Sequence, residues 1–364
     1  MTRRIVICCD GTWNVPDDKT PTNVVHFARS IAPVSPGGTT QIVFYDHGVV
    51  TGSLMDRYVG GIFGKGLEKN IGDAYRFLVH NYQDGDEVFL FGFSRGAYTA
   101  RSVAGMIRNV GLLHKAALDK FLCAFNLYRN RDAGPTSSEA ETFPSKFSRE
   151  IDIHFIGVWD TVGALGIPIQ GLRWLTRGKH LFHDVELSGS VKNGFHAISI
   201  DEKREAFIPS IWDSVKKNGQ VVEQVWFAGV HSDVGGGYSR PGLSDLAYDW
   251  MKEKAEGCGL EFDDEYISQK IHEDYLTEPH VSKRGIYKYL RSRNREIGNI
   301  SRSTEKVHPG IEAKFNAPGA AIGPITWPDS SPPRNILLPR RRGKRRVPMT
   351  ILKRKNRRNK DSGR

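Results

Sequence analysis

Val88-Phe89-Leu90-Phe91-Gly92-Phe93-Ser94-Arg95-Gly96-Ala97 decides the reading of this 364-residue chain. The stretch before Ser94 is apolar and β-prone, and the stretch after it reads as helix. Strand, sharp turn and helix are the context in which the serine of a Gly-x-Ser-x-Gly pattern becomes a nucleophile. Gly92 and Gly96 have a mechanical purpose there. The serine backbone is strained at such a turn, and only hydrogen side chains let strand and helix come so close. The five-residue pattern alone recurs by chance; the strand and helix around it make it a signal for serine hydrolysis.

Working outward, short apolar runs at Ile5 to Cys9, Gln41 to Tyr45, Ile153 to Trp159, Phe195 to Ile200 and Val221 to Val230 read as further strands. Helical patterns lie between several of them, notably Gly66 to Tyr82 and Arg95 to Val110. Apolar runs alternating with helices predict an α/β fold, a mostly parallel sheet covered on both faces. Function in such a sheet gathers at the carboxyl ends of the strands, and polar residues end nearly every run. Two stretches read as helical cap insertions. Residues 112–150 hold a helical piece and a polar loop, and residues 164–194 read either as an amphipathic cap over the site or as a surface helix pair. Residues 243–300 read as mainly helical, with Leu246, Trp250 and Met251 as core contacts. The catalytic domain is expected to span 1–335, followed by a disordered tail over 336–364.

A serine hydroxyl needs a base, and the base needs a third group to orient it. His231 ends an apolar strand and opens the glycine-rich loop Ser232-Asp233-Val234-Gly235-Gly236-Gly237, a placement suited to the base. His154 and His196 sit inside strands and read as core histidines; His47 precedes Ser94, against the usual serine, acid, histidine order. For the acid, Asp201 ends the strand where the acid commonly lies, but the charged cluster Glu202-Lys203-Arg204-Glu205 follows it. Asp160 lies between Trp159 and Thr161-Val162-Gly163, an apolar setting in which a carboxylate needs a partner, and is the preferred candidate.

The oxyanion donors are expected from the Arg95 amide and from the loop after the first strand, at Gly11 and Thr12. Asp10, His47 and Asp233 are candidate site-lining residues. No tight metal-ligand spacing surrounds Asp10, His231 and Asp233, so neither metal nor other cofactor is expected.

Composition narrows the field. The formal net charge is +11, but residues 340–364 hold 13 of the 52 Lys and Arg and a single acid, leaving 39 basic and 40 acidic side chains elsewhere. The body is near neutral and the charge belongs to the tail. That tail could bind anionic membrane surfaces, or nucleic acid without sequence preference, since no aromatics are interleaved for base stacking. Four unpatterned cysteines and the lack of a long apolar stretch point to a reduced, cytoplasmic chain, any export requiring a dedicated secretion system.

Five motifs occur in one order: Cys9-Asp10-Gly11-Thr12-Trp13-Asn14, Tyr45-Asp46-His47-Gly48, Gly92-Phe93-Ser94-Arg95-Gly96-Ala97, Val158-Trp159-Asp160-Thr161-Val162-Gly163, and Trp226 to Tyr238. Over about residues 5 to 240 the chain thereby resembles the α/β-hydrolase domain family related to type VI secretion phospholipase effectors. The resemblance implies an α/β-hydrolase fold, a Ser94, Asp160, His231 triad and an acyl-ester, lipid-type substrate. The alternative from another class is a vestigial hydrolase that binds anionic membranes or nucleic acid through its basic tail.

Overall fold

The computed structural model describes residues 2–11, 19–48, 60–129, 138–162, 187–212, 219–283, 288, 291–298 and 304–311. The basic tail, Thr12 and most of the stretch 164–194 lie outside them. Nine strands are described: β1 Arg4–Cys9, β2 Gln41–Asp46, β3 Glu87–Phe93, β4 Leu112–Leu113, β5 Ser148–Arg149, β6 Ile153–Trp159, β7 Val191–Ser199, β8 Val221–Phe227 and β9 Glu305–Val307. The helices are α1 Asn23–Ser30, α2 Gly60–Asn81, α3 Arg95–Val110, α4 Phe121–Arg129, α5 Ser138–Phe147, α6 His231–Gly235, α7 Gly242–Gly257 and α8 Asp264–Lys270.

Seven strands form one sheet in the order β2-β1-β3-β6-β7-β8-β9. Every pairing in it is parallel. This is the α/β-hydrolase arrangement expected from the alternating apolar runs. Successive side chains of a strand point to opposite faces, so each strand feeds two cores. Ile5, Ile7, Val88, Leu90, Ile156 and Val158 pack under α2 and α3. Val6, Phe89, Phe91, Phe155 and Trp159 pack on the other face against Phe27 of α1 and Tyr248 and Met251 of α7. Adjacent Cys8 and Cys9 fall into opposite cores, and all four cysteines are unbridged.

The helix behind Ser94 buries Ala97, Ala100, Val103, Ala104, Ile107 and Val110 against the sheet. Its larger apolar side chains are each worth about 1.5–3 kcal/mol when fully buried, and its alanines allow the close approach. An added Cβ at Gly96 would strike the carbonyl of Cys9, and one at Gly92 would strike that of Gly96.

Three expectations are corrected. The described residues of 112–150 form no cap. A helix that starts at the carboxyl end of β3 must return the chain to the amino end before parallel β6 can begin, and α3 delivers residue 111 there, a run of about 24 Å. Arg149 accordingly pairs with Asp84, in the turn that precedes β3, at 2.9 Å. Phe121, Ala124 and Phe125 of α4 and Phe143 of α5 join the core beneath α2 and α3. Second, the helical reading of 243–300 holds only to Lys270; beyond it the described residues form no α-helix up to Ile297. Third, β8 stops at Phe227 rather than Val230, because Gly229 turns the chain at φ +102° toward His231.

Candidate active site

Ser94 sits between the end of β3 and the first residue of α3 with φ 59° and ψ −118°. A non-glycine residue in that region is strained, and the surroundings hold it there. Its amide donates to the Trp159 carbonyl at 3.0 Å, which ties the turn to the end of β6. The glycines on either side remove the side chains that would otherwise collide. The hydroxyl is thereby presented at the carboxyl edge of the sheet, facing the loop after β8.

That loop brings His231 over the serine. Gly229 leaves room for Asp233, whose Oδ2 accepts from the Val230 amide at 2.9 Å and starts α6 at His231. The imidazole is packed between Phe93, 4.6 Å away centroid to centroid, and the edge-on Phe207 at 4.8 Å. Its Nε2 lies 2.8 Å from Ser94 Oγ and its Nδ1 lies 2.5 Å from Asp160 Oδ2. A carboxylate can only accept, so Nδ1 carries the hydrogen and Nε2 is left to accept from the serine hydroxyl.

Asp160 follows β6 at φ 40° and is completely buried. Its amide donates to the Ala197 carbonyl at 2.7 Å, and the next amide, of Thr161, donates to Nε2 of buried His196 at 3.2 Å. The carboxylate accepts from the Ser199 amide at 3.0 Å and from the Ser199 hydroxyl at 3.2 Å. Two nitrogens of Arg295 complete the set, Nη1 at 2.5 Å and Nη2 at 3.0 Å. Burial alone would raise this carboxyl, but the Arg295 charge and the His231 hydrogen bond hold it well below the usual carboxylate range. Burial lowers His231 from its ordinary value, against the pull of Asp160, so the ring is neutral at pH 7.

The remaining candidates fall out differently. Asp10 is a fastener: its Oδ1 accepts from the Gly11 amide at 2.6 Å, and its Oδ2 takes Thr22 Oγ1 at 2.6 Å and Tyr45 Oη at 2.9 Å. The Gly11 amide, expected as an oxyanion donor, is thus engaged by the neighbouring carboxylate. Thr12 lies outside the described residues. The Arg95 amide opens α3 directly after Ser94, where a helix N-terminus favours negative charge. The His47 side chain is exposed, while the next residue, Gly48, comes so close to the Gly11 carbonyl that a Cβ would lie 2.6 Å from it. Asp233 does not line the site: besides Val230 it accepts from the His280 amide at 2.9 Å and from His280 Nδ1 at 2.5 Å.

Sequence reasoning passed over three partners. Arg295 comes from a polar stretch, Arg291-Ser292-Arg293-Asn294-Arg295, that carries no apolar signal. Glu202 sits in the charged cluster that suggested a solvated loop, yet it is buried, binds Arg204 through both oxygens and takes the His231 amide at 3.3 Å. Asp201, the rival acid, accepts from the Gly229 amide at 2.8 Å. His280 gave no motif at all. Among the described residues no three His, Cys, Asp or Glu cluster as metal ligands would, and no helix is long and apolar enough to cross a membrane.

Residues 3–254 match the family described as T6SS, phospholipase effector Tle1-like, catalytic domain. Over 228 residues the chain is 32% identical to the uncharacterized protein YEL023C of Saccharomyces cerevisiae, an alignment covering 56% of this chain and 32% of the yeast protein. The chain thus spans about a third of the length of the curated relative it matches. Among solved structures, an uncharacterized protein from Pseudomonas aeruginosa aligns at a TM-score of 0.41 and 18% identity, covering 73% of this chain and 47% of that one. The Tle1 effector bound to the VgrG spike of the type 6 secretion system aligns at a TM-score of 0.38 and 18% identity, over 65% and 51% of the two chains. The esterase Est2 of Thermogutta terrifontis aligns at 0.37 and 14% identity, over 71% and 84%. With its five motifs inside the matched span and its serine at the strand-to-helix turn, the chain belongs to the family of Tle1-like phospholipase effector catalytic domains.

Proposed function

We propose that this chain is a serine hydrolase that cleaves carboxylic acyl esters of lipids through Ser94, His231 and Asp160. The observation that carries the reading is the unbroken line from Ser94 Oγ to His231 Nε2 and from His231 Nδ1 to Asp160. Ser94 Oγ attacks the ester carbonyl carbon while its proton passes to Nε2, and the oxyanion forms beside the Arg95 amide. The imidazolium then protonates the departing alcohol, leaving an acyl-serine. A water deprotonated by His231 attacks that acyl group and returns the serine. Asp160 stays ionised throughout and holds the ring in the reactive tautomer.

Family membership supports the lipid class of substrate. The test is turnover of a short-chain ester by the native chain and by Ser94→Ala. Loss of about 10⁴-fold or more with an unchanged thermal melt is expected, and full activity in the variant overturns the scheme. A rate increase as the ester passes its micellar threshold supports a lipid substrate, whereas a flat profile argues for small soluble esters. The run of 13 basic residues over 340–364 supports a further contact with anionic lipid surfaces. Deleting 336–364 is then expected to abolish retention on phosphatidylserine vesicles at low salt; unchanged retention overturns that contact.

A further inference from the structure

The partner that most distinguishes this site is Arg295, which lies beyond the residues matched by the family model. Its guanidinium is almost fully enclosed and paired edge-on with the carboxylate that orients the histidine. Nη1 also donates to the Ser199 carbonyl at 2.7 Å and to the Ser199 hydroxyl at 2.7 Å, and Nη2 to the Phe207 carbonyl at 2.5 Å. The backbone around it is fixed independently of the ion pair. The Arg293 amide donates to the Lys203 carbonyl at 2.9 Å, the Glu205 amide to the Arg291 carbonyl at 3.3 Å, and Arg204 bridges Ser292. Ile297 anchors the stretch in the core with Ile198, Trp226 and Leu243.

A buried carboxylate facing only a neutral imidazole would be poorly compensated. Two parallel N–H donors from a rigid fork do more than neutralise it: they fix the plane of the carboxylate. With Oδ1 held by Nη1 and the Ser199 amide, Oδ2 is turned toward His231 Nδ1. Protonation of the ring is opposed first by burial and then by the Arg204 charge, and Arg295 places a further cation on the far side of the shared carboxylate. The other charged groups on His231 are Glu202, whose Oε2 accepts from its amide, and Arg204, which Glu202 binds. Asp233, on the same helix, is committed to His280, and His196 lies behind Asp160 on the Thr161 amide.

We propose that Arg295 is a positioning residue for the hydrolytic site. It clamps the Asp160 carboxylate in the orientation that meets His231, and its charge offsets that of the carboxylate the ring faces. The segment 291–297 is accordingly part of the working site. The inference rests on the serine-hydrolase reading for its kinetic consequence but not for its electrostatic one, so two readouts separate them.

The experiment compares the full chain with Arg295→Met and Arg295→Lys by the pH profile of kcat/KM on a short-chain ester and by NMR titration of the His231 ring. In Arg295→Met the acid limb and the His231 midpoint both move up by about one unit, the size of effect a charge a few ångströms away exerts. Arg295→Lys keeps the charge and loses the fork; its midpoint stays near the native one while kcat falls about 10–100-fold from misplacement. Should Arg295→Met not fold, Arg295→Gln, which keeps donors toward Ser199 and Phe207, takes its place. An unmoved His231 midpoint in the neutral variant overturns the proposal, whatever happens to the rate. A moved midpoint in a chain without turnover, native protein included, upholds the charge effect of Arg295 and defeats the hydrolase reading instead.

Discussion

Two histidine–aspartate pairs meet at α6, one through His231 and one through Asp233, and they are nearly identical as pairs. His231 Nδ1 lies 2.5 Å from Asp160, and His280 Nδ1 lies 2.5 Å from Asp233. Both carboxylates are buried. Their surroundings differ. Asp160 is held by a guanidinium and Ser199, and the far nitrogen of its histidine faces a serine hydroxyl in a strained turn. Asp233 is held by the amides of Val230 and His280, and the ring of its histidine stacks on Tyr238 at 4.0 Å. In the proposed reaction the first pair moves a proton; the second fastens the start of α6 to the segment around residue 280. A short imidazole–carboxylate contact is therefore no signature of catalysis by itself. What lies at the far nitrogen decides.

Substituting the two aspartates in parallel is the strongest way to break this comparison. Asp160→Asn leaves the volume unchanged but favours the wrong imidazole tautomer, so kcat on a short-chain ester should fall about 10⁴-fold, and stability should drop by about 3–5 kcal/mol because Arg295 is left as a buried unpaired charge. Asp233→Asn removes a buried acceptor of two amides and one imidazole; a loss of about 1–3 kcal/mol in chemical denaturation is expected, with kcat within about tenfold of native. Equal rate losses in the two variants would show that the pairs do not divide the labour in this way.

A smaller effect sharpens the contrast through pH. His231 acts as a base only when neutral, and burial holds it below its ordinary value of 6.5. A lowered value means the neutral form persists as pH falls, so activity is present above the midpoint and lost below it. The kcat/KM profile should therefore show an acid limb with its midpoint under pH 6.5. A limb at or above pH 7 would mean that Asp160 dominates over burial. The same sign applies to stability: His196, fully buried and lowered to about 3, takes up its proton only on unfolding, so stability declines as pH drops below 6.5.

Much of this was legible in the chain. The elbow announced itself because its constraint is local: strand, two glycines and helix lie within ten residues. Asp160 and His231 were legible because each follows an apolar strand, Asp160 directly and His231 after the turn at Gly229, and a parallel sheet gathers those ends. Arg295 was not, since it is 135 residues from Asp160 and surrounded by polar neighbours, and only tertiary folding reveals that its charge is buried. Glu202 misled for the related reason that a charged cluster reads as solvated until its pairing is seen. The placement of 112–150 was legible in principle, because a helix after a parallel strand must return to the opposite edge of the sheet. β9 is three residues long, Glu305-Lys306-Val307, too short and too polar to carry a strand signal.

The most direct test of the central claim is covalent. The native chain is treated with a fluorophosphonate, digested, and the labelled peptide mapped by mass spectrometry, with His231→Ala alongside. A single adduct on Ser94, strongly reduced without His231, is the result expected of a serine activated by its neighbour. An unlabelled native protein, or an adduct on another residue with Ser94 unmodified, would contradict it.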